Sequence, residues 1–154
     1  MTGPAAPTPP PPPPPWAWSN LSDDDARALD AAVQEWVNDY NANLATIEDQ
    51  VIPACWRQHP ALTQELPVQF HGWQAAHRDP QATPFQALEY YTRFLPSFRD
   101  RVMTLLAPDP LQCRTGQHPP ADAGLAHTIE RAATDVDAHG PDIIDVLRQT
   151  TFGC

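Results

Sequence analysis

Two cysteines and two histidines carry the spacing with the clearest chemical meaning in this 154-residue chain: Cys55 with His59, and Cys113 with His118. On a helix, positions i and i+4 face the same way, so Cys55 and His59 would present a thiolate and an imidazole together. Cys113 and His118 flank Gly116 in a segment that reads as a turn, where a flexible backbone can bring both side chains to one ion. Two sulfur and two nitrogen donors satisfy tetrahedral zinc, and a site closed by four protein ligands is structural, with no open position for catalysis. The 53 residues between His59 and Cys113 exceed the spacing of a zinc finger, so tertiary packing has to assemble such a site. Two other readings stand beside zinc. Cys55 next to Trp56 fits a small buried hydrophobe and His118 before two prolines an ordinary loop residue. A Cys55 to Cys113 disulfide is the third, disfavoured in a reducing compartment.

Other chemistry has little footing. The chain lacks HExxH, a P-loop, GxSxG and GxGxxG, and its six histidines are scattered among loops and helix ends. One helical turn bearing Cys55 and His59 supplies neither an orienting group nor oxyanion donors, so no catalytic residue is assigned and no enzyme is expected. Cys154, the last residue, is outside any CaaX pattern and reads as an exposed thiol. Arg93, Arg99 and Arg101 cluster locally, but Glu89 and Asp100 sit among them, which favours solvated salt bridging over phosphate contact.

The elements that must position these residues are helical. Ser22 precedes Asp23, Asp24 and Asp25, a cap oxygen followed by carboxylates in the first turn, where the helix dipole favours them. Leu29, Ala32, Val33, Trp36, Val37, Tyr40, Leu44 and Ile47 then paint one apolar stripe over about five turns. Pro53 and Pro60 bracket a segment with room for one or two helical turns. A second helix is expected from Pro60 to about His77, with Leu62, Leu66, Phe70 and Trp73 on its apolar side and a kink at Pro67. Thr83-Pro84-Phe85-Gln86 combines a capping-box pattern with proline at the first helical position. From there Leu88, Tyr91, Leu95, Phe98, Val102 and Leu105 predict a packed seam, bent or split at Pro96. Leu125, Ile129, Ala132, Ala133 and Val136 suggest a fourth helix closed by Gly140-Pro141, and Ile143, Ile144 and Leu147 a short fifth. Together these predict an all-α domain of about four helices, kinked at internal prolines, over residues 21–140, with 141–154 as a C-terminal segment.

Residues 1–20 hold nine of the twenty prolines, including the unbroken run 9–15, and are expected to form a disordered tail. The run itself should make a polyproline II rod of about 3.1 Å per residue, a spacer or a ligand for an aromatic groove. Trp16 and Trp18 follow it and are expected to clamp the tail onto the domain.

The net charge of −10 is uneven: residues 1–50 contribute −7, residues 51–120 +1 and residues 121–154 −4. Nucleic-acid affinity is built on phosphate neutralisation and anionic lipid attracts cations, so a chain this acidic is a poor candidate for either partner. The N-terminus shows neither a charged n-region nor an apolar h-region, and no apolar run approaches the ~20 residues of a membrane span. A cytoplasmic location is expected.

The stretch Ile52-Pro-Ala-Cys-Trp-Arg-Gln-His-Pro-Ala-Leu62, with Glu65-Leu66 and Trp73 after it, resembles a group of small proteins from actinobacterial chromosomes and mobile elements. Trp36-Val-Asn-Asp-Tyr-Asn41, Leu95-Pro96 and residues 113–118 share in the likeness, which covers roughly residues 33–120. The group carries no assigned activity, so the resemblance implies a bacterial host, with a plasmid or conjugative-element setting, and no site residue. The acidic first helix and stiff tail point first to a non-catalytic protein-interaction or accessory module with an unidentified protein partner. A small structural zinc-binding domain on Cys55, His59, Cys113 and His118 is the second reading.

Overall fold

The computed structural model describes residues 8–106 together with Leu111 and Cys113. The expected helix at 125–136, the segment at 143–147, and His118 lie outside the described residues. Within them the chain is all-α, with no strand, and no helix is long and apolar enough to cross a membrane.

Helix α1 (Asp23–Asn43) starts where its cap predicts: the Ser22 hydroxyl accepts the Asp25 amide at 3.2 Å. It buries Ala26, Leu29, Val33, Trp36, Val37 and Tyr40 on one side. The apolar stripe expected to continue to Ile47 stops short. The Leu44 and Ala45 amides both bond the Tyr40 carbonyl, and the Gln50 side chain accepts from the amide and hydroxyl of Thr46, so the chain turns and Ile47 is exposed. Arg99 donates to the Leu44 carbonyl, supplying a partner that the frayed helix end lacks.

Helix α2 (Pro60–His77) matches its expected bounds and is the centre of the fold, touching α1 on one side and the third helical run on another. Leu62, Leu66 and Phe70 enter the core. Pro67 lies inside it, and a proline there has no N–H for the carbonyl four residues back, Thr63. The indole of Trp18 supplies the missing donor, bonding the Thr63 carbonyl at 2.9 Å. Trp18 is fully buried, and the short 3-10 turn Trp18–Asn20 therefore lies against α2 as the expected clamp. Trp16 is half exposed and packs on His71, with ring centroids 5.9 Å apart. Thr8 through Pro15 are exposed.

The third run comprises α3 (Pro84–Glu89), a π turn (Tyr90–Phe94), α4 (Leu95–Arg99) and α5 (Val102–Leu105). The capping box is complete: Gln86 donates its amide to the Thr83 hydroxyl and accepts the Thr83 amide on its side chain. The π turn changes the packing seam. Leu106, Val102, Phe98 and Leu95 are buried at steps of four and three, but the next buried residue is Tyr90, five back, while the expected Leu88 and Tyr91 are exposed. Leu95 donates to the Tyr90 carbonyl, the i→i−5 bond of a π turn. Pro96 supplies the reason: its ring would meet the Thr92 carbonyl in an unbroken α-helix, and widening the turn before it removes that clash.

Candidate metal centre

Pro53 and Pro60 confine the intervening chain to a single 3-10 turn, Trp56–Gln58. Cys55 precedes this turn and His59 ends it, so the pair is brought together by a tight turn instead of the α-helix that the i, i+4 spacing suggests. His59 is also the N-cap of α2, and the residue before a proline is held in extended backbone, as its φ of −110° and ψ of 102° show. Its carbonyl accepts the Thr63 amide at 2.9 Å and the Thr63 hydroxyl at 3.0 Å, which fixes the imidazole's root against the first turn of α2.

The turn is in turn fastened to α1. Trp56 is fully buried and donates its indole N–H to Gln34 at 3.0 Å. Arg57 makes a two-pronged ion pair with Asp30, at 2.7 and 3.0 Å, and donates a third bond to Gln34. Upstream, the Asn41 side chain bonds both backbone groups of Ile52, at 2.8 and 2.9 Å, and the Tyr40 hydroxyl donates to the Gln50 carbonyl. Asn41 and Tyr40 thus hold the strand-like approach to Pro53 in one register. Two stretches quoted above for their resemblance, residues 36–41 and 52–62, meet here.

Cys113 comes from the far end of the described chain to the same place. The Cys55 sulfur lies 3.6 Å and the Cys113 sulfur 3.2 Å from one nitrogen, His59 Nε2, and the three donor atoms lie within 4.8 Å of one another. His59 is 2 % and Cys113 4 % exposed, while Cys55 is half-buried. The two sulfurs are not bonded to each other. A tetrahedral zinc ion with Zn–S of about 2.3 Å and Zn–N of about 2.0–2.1 Å has a sulfur-to-nitrogen edge of about 3.6 Å. The Cys55 separation equals that edge, and the Cys113 separation is about 0.4 Å shorter than it. Hydrogen bonding explains only half of the arrangement, because Nε2 has either one proton to donate or one lone pair to accept with. An ion between the three donors would serve both sulfurs at once. Thiolate is a soft donor and imidazole a borderline one, a set that favours zinc over magnesium or calcium.

Three of the four expected donors are therefore together, and no further Cys, His, Asp or Glu joins them among the described residues. Sequence reasoning missed the supports: Gln34 and Asp30 on α1 gave no signal, whereas Pro67 left a legible one, an orphaned Thr63 carbonyl. The arginine cluster resolves into separate contacts. Arg93 pairs with Glu89, Arg101 makes a two-pronged bond with Glu65, and Arg99 serves Leu44. Burial pushes Tyr40 up to about 12, against the pull of Arg99, and raises Tyr90 as well, so both phenols stay neutral near pH 7.

No family model, curated protein or solved structure matches the chain.

Proposed function

We propose that this chain is a small helical module stabilised by a structural zinc ion held by Cys55, His59 and Cys113. The convergence of two sulfurs on one buried imidazole nitrogen carries the reading. The fourth donor on this view is His118, whose place five residues after Cys113 suits a return to the same ion. The ion would tie the turn before α2 to the chain beyond α5, a role that needs no open coordination position. Metal analysis of the purified full chain tests it. About one equivalent of zinc, lost in Cys113→Ser, supports the site; zinc far below one equivalent in the unaltered protein, with melting unchanged by a chelator, rejects it.

The biological role we assign to the module is non-catalytic protein interaction in a bacterial cell or mobile element. The −7 charge of residues 1–50 and the proline-rich stretch ahead of Trp18 support that assignment. Pull-down from the native host with and without residues 1–13 would show a partner that depends on the proline run; no stable partner for either form would count against the role.

A further inference from the structure

Cys55 and Cys113 differ in a way that holding a structural ion does not require. Cys55 is half-buried, at the start of the 3-10 turn, whereas Cys113 is 4 % exposed. Their sulfurs lie within 4.8 Å of each other and are not bonded. A thiol within reach of solvent, backed by a second that solvent scarcely reaches, is the arrangement of an oxidation-sensitive pair: the first sulfur meets the oxidant and the second resolves the product. A disulfide needs the sulfurs about 2.05 Å apart, and turning one cysteine to another staggered rotamer moves its sulfur by about 3 Å, a displacement of the size required.

We propose that Cys55 is a site of oxidation by peroxide and that Cys113 resolves it, so that oxidation exchanges the metal for a disulfide. The release of metal rests on the zinc reading above; the disulfide rests only on the closeness of the two sulfurs. In the first step the Cys55 thiolate attacks one oxygen of hydrogen peroxide, the O–O bond breaks, hydroxide leaves and Cys55 becomes a sulfenic acid. In the second the Cys113 thiolate attacks the Cys55 sulfur, the S–O bond breaks, a second hydroxide leaves and the disulfide forms. Two protons from solvent convert the hydroxides to water, and the two electrons lost by the sulfur pair are those gained by the peroxide. An ion held through both sulfurs loses them together and is left with too few donors to stay. The disulfide closes the same loop that the metal closed, so the turn before α2 stays tied to the chain beyond α5. A reducing compartment returns the pair to thiols, which makes the exchange a reversible switch.

Peptide mapping of the full chain tests the exchange, because trypsin places the three cysteines in separate fragments, residues 28–57, 102–114 and 149–154. The protein is treated with hydrogen peroxide, zinc set free is read with a chromophoric chelator, and the remaining thiols are alkylated before digestion. The expected product joins 28–57 to 102–114, with about one zinc released per disulfide, and dithiothreitol with added zinc reverses both. A cyclic-dione probe for sulfenic acid should label Cys55 in Cys113→Ser at least about tenfold more than Cys113 in Cys55→Ser. Cys55 and Cys113 still fully alkylated after peroxide would overturn the proposal. So would a link from either one to Cys154 in place of their own, equal dione labelling in the two variants, or a disulfide formed with zinc still bound. Zinc absent from the untreated chain would strike the zinc reading, and the joined peptide alone would then decide whether Cys113 resolves Cys55.

Discussion

Pro67 deprives the Thr63 carbonyl of an amide, and Trp18 answers it from 45 residues away. Trp18→Phe keeps the buried ring but leaves that carbonyl without its donor, which should destabilise the chain by about 1–3 kcal/mol in denaturant titration. Pro67→Ala restores the helical N–H, so in that background the same change should cost about 1 kcal/mol less; an equal cost in both would break the link between the two residues. His71 makes a second residue-scale case. Its Nε2 is buried with no hydrogen-bond partner, and burial pulls the imidazole below its ordinary value of 6.5. The folded chain therefore prefers the neutral ring: the contribution is complete above pH 6.5 and is lost as pH falls below it. Melting temperature between pH 7.5 and 5 should fall more steeply for the unaltered protein than for His71→Phe, every other titrating group being common to both. At this scale the Cys55 and His59 pair was legible, because four-residue spacing between bracketing prolines leaves few other geometries. Cys113 was legible only as a donor type; its arrival depends on the packing of everything between.

Helix starts were the most readable elements, since a cap is a local bond. Ser22 with Asp25, and Thr83 with Gln86, sit where the sequence placed them. Helix ends were less so, because α1 stops at Asn43 through contacts made by Gln50 and Arg99 from elsewhere in the chain. The π turn was invisible to periodicity, which assumes 3.6 residues per turn throughout; only Pro96 hinted at it. If that proline causes the turn, deleting Thr92 should restore the α register with Tyr90 and Leu95 still buried, but force Pro96 into an unbroken helix at a cost of about 3 kcal/mol. Pro96→Ala should recover most of that loss in thermal unfolding. A deletion equally harmful with proline or alanine at 96 would remove the proline from the explanation.

For the molecule as a whole, the proposed metal centre would be a cross-link between distant parts of the chain. Cys55 and Cys113 enclose 58 residues of chain separation, and closing a loop of that length removes unfolded-state entropy worth on the order of 4 kcal/mol. Chelation should therefore lower the melting temperature by about 10 °C or more while leaving most of the helical signal, because α1, α2 and the third run pack on one another through Trp36, Tyr40, Leu66 and Phe98 without the ion. The all-α class followed from apolar spacing alone. The way α2 serves as the common support, receiving Trp18, the Cys55–His59 turn and the third run at once, did not, since no single segment records its neighbours. X-ray absorption at the zinc edge of the purified full chain is the most direct test of the centre. The account requires two sulfur neighbours at about 2.3 Å and nitrogen at about 2.0–2.1 Å. A shell of nitrogen and oxygen only, or no bound zinc to measure, would contradict it.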